Sequence, residues 1–260
     1  MLIDLNSDVG ESFGRYTLGE DELVMLAITS ANIACGFHAG DPGVIRATLS
    51  AARKRGVACG AHPGYPDLVG FGRRDMAVSP EEIFDDLVYQ VGAVWAAARV
   101  EGVKLTHVKP HGALYNRAAR DHGAARAIAE AVRSLDLGLI LVGLAGSEMG
   151  IAAKEAGVGF AGEAFADRVY RPDGALAPRS QPGAVVHDPD DVLRRAISIA
   201  RDQLVWTSTG EAVPVHAHTI CLHGDTTGAA RLGALVRAGI EDAGVRVVPL
   251  LRVLEGANEG

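Results

Sequence analysis

Short apolar runs recur along this chain, and each is followed by polar or glycine-rich residues and then by a longer segment with helical periodicity. This alternation is typical of repeated βα units, which build parallel sheets. The runs predict strands at Leu2–Leu5, Ser30–Ala34, Val57–Gly60, Leu105–Val108, Leu139–Val142, Val158–Ala161, Thr219–Leu222 and Val245–Leu250.

Seven or eight βα units in 260 residues match a single (β/α) barrel, which typically needs about 250 residues. No linker is visible, so we expect residues 1–260 to form one α/β domain with a TIM-like barrel. An open, doubly wound sheet stays the alternative, because periodicity cannot distinguish a closed sheet from an open one.

Helix starts support this interpretation, because three capping side chains each precede a proline at the first helical position. They occur at Asp41-Pro42, Ser79-Pro80 and Asp188-Pro189, and Ser79 also forms the pattern of a capping box with Glu82. Two insertions interrupt the repeat, at Pro63–Val78 and Arg171–Val186. Long loops of this kind often cover active sites. A hairpin is predicted within Gln203–Ala217, at the other end of the barrel.

Charge and composition exclude several classes of protein. The net charge is −7 and long basic runs are absent, which argues against binding of nucleic acid or anionic membranes through bulk electrostatics. The three cysteines form no CxxC pair and are predicted to be reduced, buried residues rather than nucleophiles. No signal peptide or membrane-length apolar run is present, so a cytoplasmic protein with a small polar ligand is expected.

Ligands of parallel α/β folds bind at the carboxyl ends of the strands. In this chain those ends are rich in titratable and amide side chains, and we expect them to converge on one barrel mouth. The candidates are Asn6, Asp8, Glu11, Asn32, His38, Asp41, His62, Lys109, His111, Glu163, Asp167, Arg168, His223 and Asp225.

Lys109 and His111 form the sharpest local signal, because they flank Pro110 at a strand end and can both point into the mouth. A lysine there can polarise a carbonyl or phosphoryl oxygen, and a histidine can move protons near neutral pH. Asp8 has two interpretations, as the cap of a turn or as a functional residue. His62 lies in a loop whose backbone is restricted by glycines and prolines, so a structural turn is its alternative to a functional role.

Several familiar functional motifs are absent from this sequence or occur in the wrong structural context. The run Gly157–Gly162 fits GxGxxG, but it enters a strand instead of leaving one for a helix, so no dinucleotide site is expected. The P-loop pattern and HExxH are both absent. The remaining carboxylates, histidines and lysine suit hydrolysis of a carbonyl substrate, with or without a divalent metal.

Six segments resemble one known family and cover almost the whole chain in order. They are DLNSDVGESFG from Asp4, SANIACGFHAGDP from Ser30, GAHPGYPDLVGFGRRDM from Gly60, HVKPHGALYN from His107, FADRVYRPDGALAPR from Phe165 and TICLHGDT from Thr219. On these motifs the chain resembles the LamB/YcsF family.

The resemblance implies an irregular, seven-stranded TIM-like barrel akin to the glycoside hydrolase/deacetylase barrels. It also implies the role of the A subunit in an ATP-dependent 5-oxoprolinase, which opens 5-oxo-L-proline to L-glutamate together with subunits B and C. ATP is then a co-substrate, accompanied by Mg²⁺.

In this hypothesis Lys109, with Arg168 or Arg179, stabilises developing negative charge, while His62 or His111 activates water. Asp8 orients a base or holds a metal. The deacetylase likeness suggests Asp8, His38 and His62 as a metal set, although the paired-Asp and HxxxH signatures of those enzymes are missing. The remaining predicted substrate-binding residues are Asn6, Asn32, Glu163 and His223.

Two other functions fit the same residues. One is a metal-dependent deacetylase or amidohydrolase that works without ATP. The other is a non-catalytic protein that binds 5-oxoproline for a partner enzyme. Because no nucleotide-binding motif is present, we expect the lone chain to depend on partners for ATP-driven turnover.

Overall fold

The computed structural model of the chain describes residues 1–179, 181–222 and 228–257. Its strands are β1 (Leu2–Val9), β2 (Ser30–Ala34), β3 (Ala58–His62), β4 (Leu105–Val108), β5 (Ile140–Leu144), β6 (Gly159–Phe165), β7 (Leu204–Trp206), β8 (Ala212–Pro214), β9 (Thr219–Cys221) and β10 (Arg246–Val247). Its helices are α1 (Asp21–Val24), α2 (Pro42–Arg55), α3 (Pro80–Glu101), α4 (Gly112–Ala118), α5 (His122–Leu135), α6 (Glu148–Ala156), α7 (Pro189–Ile197), α8 (Ala229–Asp242) and α9 (Leu250–Ala257). A π-helical turn, Ser198–Asp202, extends α7.

Seven parallel strands close into a barrel in the order β1, β2, β3, β4, β5, β6 and β9. The ring closes because β9 pairs with β6 on one side and with β1 on the other. The predicted TIM-like, seven-stranded barrel is therefore confirmed, and the open-sheet alternative is wrong. In this part of the chain no helix has the length and apolar character needed to cross a membrane.

The eighth predicted strand, Val245–Leu250, is not part of the ring. Only Arg246 and Val247 form β10, which pairs with the first residues of β1 outside the closed barrel. Pro249 follows and has no N–H to donate to a sheet, and α9 begins directly after it.

Four strands, β1, β3, β5 and β6, end later than the sequence predicts, and three of them extend through functional candidates. β3 continues through His62. β1 continues to Val9, so Asn6 and Asp8 lie within the strand instead of after it. β6 continues to Phe165 and therefore contains Glu163. The prediction stopped β1 at Leu5 because it relied on apolar runs, whereas the interior of this barrel is partly polar.

The predicted helix starts are confirmed by their caps. The Asp41 carboxylate accepts hydrogen bonds from the backbone N–H groups of Gly43 and Val44. Ser79 and Glu82 form a reciprocal capping box at the start of α3. The Asp188 carboxylate accepts from the N–H of Asp191. Each cap satisfies donors that the first helical turn would leave unpaired.

The two predicted insertions are long loops at the mouth of the barrel, one between β3 and α3 and the other between β6 and α7. The predicted hairpin is present as antiparallel β7 and β8. Its location differs from the prediction, because Thr207 bridges Tyr170 and the N–H of Ser208 donates to the Tyr170 carbonyl. The hairpin thus supports the second insertion at the mouth end.

Asp4 lies fully buried inside the barrel and ties β1 to its neighbours. Its Oδ1 accepts hydrogen bonds from the hydroxyls of Thr29 and Ser30, each at 2.7 Å, and its Oδ2 accepts from Thr219 at 2.6 Å. Burial nevertheless raises the pKa of Asp4 from 3.8 to about 6, since the three hydrogen bonds compensate only part of the lost hydration.

This pKa predicts a pH-dependent loss of stability. The pKa of Asp4 is higher in the folded state than in the unfolded state, so the native state binds the proton more tightly. The contribution of protonated Asp4 to the free energy of unfolding is therefore complete below pH ~4 and is lost as pH rises through ~6. A shift of about two units corresponds to roughly 3 kcal/mol. In urea unfolding, the free energy of unfolding of Asp4→Asn minus that of the unmodified chain should therefore increase by about that amount between pH 4 and pH 7. The exposed Asp85→Asn should show no such trend, and a pH-independent difference for Asp4→Asn would contradict the prediction.

Candidate active site

Lys109 lies at the centre of a charged group inside the barrel mouth. It directly follows β4 and is almost fully buried. Its Nζ lies 3.0 Å from Oδ1 of Asp8 on β1 and 2.8 Å from Oε1 of Glu163 on β6. It also donates to Oδ1 of Asn6 at 3.2 Å. The structure thus brings together four candidate residues, Asn6, Asp8, Lys109 and Glu163, that the sequence placed at three different strand ends.

The charges in this group stabilise one another. Burial disfavours the charged ammonium, but the carboxylates of Asp8 and Glu163 outweigh it and hold the pKa of Lys109 well above its usual value. Burial likewise disfavours the Asp8 carboxylate, but the charges of His62 and Lys109 outweigh it and lower its pKa well below the usual range. Both groups are therefore ionised at neutral pH.

This environment differs from the predicted role of Lys109. A lysine that stabilises charge on a ligand needs a free N–H, whereas the ammonium here already faces Asp8, Glu163 and Asn6, with Sγ of Cys221 at 3.2 Å. Lys109 therefore positions two carboxylates. Arg168 and Arg179, at the edge of the cavity, are better placed to meet a ligand.

Asn6 and Asn32 were predicted to bind substrate, and the structure does not support that role. Nδ2 of Asn32 donates to Oδ1 of Asp8 at 2.8 Å and to Oδ1 of Asn6 at 2.7 Å. Nδ2 of Asn6 donates to Oε1 of Glu163 at 3.0 Å. Both side chains are buried, and their amides are engaged by the protein, so they orient the carboxylates. The Nε2 of His107, which no motif singled out, bonds Oδ1 of Asn32 at 2.8 Å.

Three buried histidines and a glutamate lie beside this charged group. Nε2 of His62 is 3.0 Å from Nδ1 of His111, and the His111 ring stacks on His38 with centroids 3.8 Å apart. Oε1 of Glu11 lies 3.7 Å from Nε2 of His38 and 3.9 Å from Nδ1 of His111. One donor atom from each of the four residues falls within 4.8 Å of all the others. We call these four residues the histidine cluster.

The donor set fits a metal ion, but it is not the predicted one. His38 and His62 belong to both sets, whereas Glu11 and His111 take the place expected for Asp8. Asp8 lies at the edge of the cluster, with Oδ2 3.3 Å from Nε2 of His62, and its Oδ1 is engaged by Lys109 and Asn32. Imidazole nitrogens and a carboxylate oxygen are the usual ligands of zinc and related divalent ions.

Burial keeps two of these histidines neutral. It is the largest cause that lowers the pKa of His38 well below its usual value and the pKa of His111 to about 3. Neutral imidazole is the form that binds a metal through its nitrogen lone pair.

Two adjacent cavities that share part of their walls lie beside these residues. An inner cavity of about 50 Å³ is lined by Asp8, His62, Lys109 and His111 among others, and has room for one or two waters. An outer cavity of about 1020 Å³ shares part of that wall. The residues that line both are Arg73, Gly112, Asn116, Arg168, Leu176 and Arg179.

The outer cavity is rich in arginine. Its arginines are Arg73, Arg120, Arg168, Arg171 and Arg179, while Asp75 and Asp173 are its acidic residues. Arg168 is buried, and its Nη2 donates to the carbonyl of Ala177 at 2.6 Å. Burial lowers the pKa of Arg168 to about 10, so it stays charged at neutral pH. This wall suits an anionic ligand.

Two predicted site residues, Glu163 and His223, and one residue that was not predicted, Tyr115, remain to be placed. Glu163 is fully buried, its Oε1 lies 2.8 Å from Nζ of Lys109, and it is not among the residues that line the two cavities. His223 lies outside the described residues. The sequence analysis missed Tyr115, whose ring lines the inner cavity; its position in the same segment as Lys109 and His111 was the available signal.

Buried ion pairs and histidines at the carboxyl ends of parallel strands, beneath a cavity, define the class of α/β-barrel enzymes. Comparison with known sequences is more specific. The model of the LamB/YcsF family matches residues 3–255. The chain therefore belongs to the LamB/YcsF family, and the resemblance found in its motifs is confirmed.

Related proteins match along nearly their whole length. A protein from Pyrococcus abyssi (strain GE5 / Orsay), named as the A subunit of 5-oxoprolinase, is 52% identical over 250 residues, which cover 96% of this chain and 98% of that protein. A protein of the same name from Syntrophobacter fumaroxidans is also 52% identical over 250 residues, with coverages of 96% and 99%.

Solved structures also match. The crystal structure of a lactam utilization protein from Thermus thermophilus has a TM-score of 0.90 at 48% identity and covers 95% of this chain and 99% of its own. A putative cellobiose-phosphate cleavage protein from Enterococcus faecalis V583 has a TM-score of 0.57 at 12% identity, with coverages of 96% and 98%. At that identity the likeness concerns the fold alone.

The buried position of Lys109 predicts a large effect of its removal on stability. In Lys109→Met, the carboxylates of Asp8 and Glu163 lose their shared cation, and breaking a buried ion pair in this way costs about 3–5 kcal/mol. Urea denaturation at pH 7 measures the loss. The exposed Lys104→Met is the matched control and should change stability by less than about 0.5 kcal/mol. Equal stability of the two variants would disprove the proposed positioning role.

Proposed function

We propose that this chain is the component of an ATP-dependent 5-oxoprolinase that opens the lactam of 5-oxo-L-proline to L-glutamate. The observation that carries the proposal is the pair of carboxylates around Lys109, set beside the histidine cluster at the base of an arginine-lined cavity. The full-length relatives are named as the A subunit of 5-oxoprolinase, which supports the substrate and the reaction.

The reaction requires activation of an unreactive bond. A lactam is a resonance-stabilised amide, so water adds slowly to its carbonyl carbon. Transfer of the γ-phosphoryl group of ATP to the lactam oxygen would make this carbon electrophilic. Water then adds to the carbon and the C–N bond breaks, which frees the amine and leaves an acyl phosphate. A second water hydrolyses the acyl phosphate to phosphate and the second carboxylate of glutamate. This sequence explains why the reaction consumes ATP.

Asp8 is the proton acceptor that the geometry supports. Asp8 lines the inner cavity, which has the volume of one or two waters. Its Oδ1 is held by Lys109 and Asn32, and its Oδ2 lies 3.3 Å from Nε2 of His62. The low pKa of Asp8 keeps this oxygen ionised at neutral pH. A carboxylate held in this way can take a proton from an attacking water.

The histidine cluster is the donor set for a divalent cation, which when bound would polarise water or a carbonyl oxygen. In this assignment His62 and His111 would be ligands of the cation, and coordination would fix the orientation of their rings. From the sequence, one or the other of these histidines was expected to activate water, whereas in this assignment the ionised Asp8 receives the proton.

The arginines of the outer cavity are the groups that would hold anionic parts of the substrates. Arg168 and Arg179 line both cavities, so a carboxylate or phosphoryl group that they bind lies close to Asp8. A cavity of about 1020 Å³ is larger than a five-membered ring requires, which leaves room for the phosphates of ATP with Mg²⁺. Arginine side chains are well suited to such groups.

Partner subunits complete this proposal. The relatives carry the name of one lettered subunit of an enzyme, which indicates an assembly of several chains. The sequence contains no P-loop, so we infer that subunits B and C supply or complete the nucleotide site. Contact is expected at the barrel mouth, where the two insertions lie. Consumption of ATP also suits a cytoplasmic location.

This arrangement predicts that the lone chain does not release glutamate at a useful rate. Purified chain would be incubated with 5-oxoproline, ATP and Mg²⁺, alone and then with both partners, while glutamate and ADP are measured together. Stoichiometric release of both products by the lone chain, at the rate of the complete mixture, would show that the partners are dispensable. Release of glutamate without ATP would instead support an ordinary amidohydrolase.

A second prediction concerns Asp8→Asn in the reconstituted enzyme. The amide keeps the shape of the side chain but cannot accept the proton at Oδ2, so turnover should fall at least ~100-fold. Circular dichroism should show an unchanged fold. Asp85→Asn changes an exposed carboxylate of the same type and should leave turnover unaltered. Full activity of Asp8→Asn would remove Asp8 from the mechanism.

A further inference from the structure

We propose that Glu11, His38, His62 and His111 bind one divalent cation of the zinc type. The proposal rests on the proposed function for its chemical purpose, since it deepens the description of the same site. Its evidence is separate, however, because it comes from the arrangement of four buried side chains and does not depend on the substrate.

The barrel itself brings the four donors together. Glu11 follows β1, His38 follows β2, His62 ends β3 and His111 follows β4, so they come from four strands that are neighbours in the ring. Their donor atoms lie within 4.8 Å of one another. The 3.0 Å between Nε2 of His62 and Nδ1 of His111 is a few tenths of an ångström shorter than the about 3.4 Å expected between two ligands of a tetrahedral ion, each about 2.1 Å from it.

Backbone carbonyls determine which ring nitrogens carry protons. Nδ1 of His62 lies 2.7 Å from the carbonyl oxygen of Lys109, and Nε2 of His111 lies 2.8 Å from that of Phe71. A carbonyl oxygen only accepts, so these two nitrogens carry the protons. When both rings are neutral, the lone pairs of Nε2 of His62 and Nδ1 of His111 therefore face each other. A cation between them turns this repulsion into coordination, and carbonyl contacts of this kind orient histidine ligands in metal sites.

Besides the proximity of the four donor atoms, the surroundings of His38 independently support a bound cation. Its ring has no exposure to solvent, and neither nitrogen has a hydrogen-bond partner among the described residues. Leaving a buried polar nitrogen unsatisfied is costly, and coordination would satisfy one of the two.

The loop after β3 holds the His38 ring against the other donors. A Cβ at Gly64 would lie 2.8 Å from Nδ1 of His38, and a Cβ at Gly72 would lie 2.7 Å from Cβ of His38 and 2.9 Å from Cδ2 of His111. Both glycines thus let the backbone approach the rings closely. The rings therefore have little freedom to lose when a cation draws the donors together, which favours binding.

Asp8 lies outside this donor set. Its Oδ2 is 3.3 Å from Nε2 of His62, and its Oδ1 belongs to the hydrogen-bonded group around Lys109. The alternative occupant of the cluster is a proton: a doubly protonated His62 could donate from Nε2 to Asp8 or to His111. The two occupants differ in whether the purified chain binds metal.

Calorimetry on the full chain tests the proposal. The chain would be stripped with a chelator, dialysed and titrated with ZnCl₂. We expect one ion per chain with a Kd of about 1 µM or tighter, a conservative bound for a four-donor site. His38→Ala should weaken binding at least ~100-fold, since even a residue that only supports a ligand contributes 10–100-fold. The exposed His187→Ala is the matched control and should bind like the unmodified chain.

Two further measurements keep the outcome decisive. Zinc should raise the thermal midpoint of the unmodified chain and of His187→Ala but not that of His38→Ala, because a ligand stabilises the state that binds it. Glu11→Gln, a milder change, serves if His38→Ala fails to fold, and it should also lose affinity. Absence of stoichiometric binding by the folded chain, or equal binding by all variants, would overturn the proposal. Neither result depends on glutamate release, so failure of the metal site and failure of the proposed reaction can be told apart.

Discussion

The pairing of the Lys109 ammonium with the carboxylates of Asp8 and Glu163 is the interaction on which the rest of the site depends. Removing three charges from water is costly, and only close mutual contact with additional hydrogen bonds offsets that cost. Here the contacts are 3.0 and 2.8 Å, and the amides of Asn6 and Asn32 complete them. Because these side chains come from β1, β2, β4 and β6, the charges also link distant parts of the ring.

The site has three layers with different physical tasks. The ion-paired layer is buried and holds Asp8, which lines the inner cavity, in its charged form. The histidine cluster lies beside it, also buried, with one donor atom from each residue within 4.8 Å of the others. The arginines lie further out, where a large cavity opens to solvent. A reaction that combines proton transfer, polarisation and anionic substrates can use all three at one mouth.

Burial changes which chemistry each residue can perform. Lys109 has the side chain of an electrophilic catalyst, but three protein acceptors surround its ammonium, so its effect on a ligand passes through Asp8. Arg168 keeps its charge despite burial and stands at the cavity wall. The neighbouring residues thus give the Lys109 and Arg168 side chains different roles, although either side chain in isolation could bind an anion.

The sequence by itself determined the approximate positions of the seven barrel strands along the chain, the helix caps at Asp41, Ser79 and Asp188, and the end of the barrel at which polar residues gather. These features depend on local periodicity and on contacts a few residues apart. Only the tertiary structure decided that β1 runs on through Asn6 and Asp8, that Lys109 is enclosed by carboxylates, and that Glu11 and His111 join His38 and His62. Those outcomes come from ring closure, which brings residues such as Asp8 and Lys109, 101 positions apart, within 3.0 Å. A local pattern carries no information about partners at that separation, because the register of the closed sheet sets them.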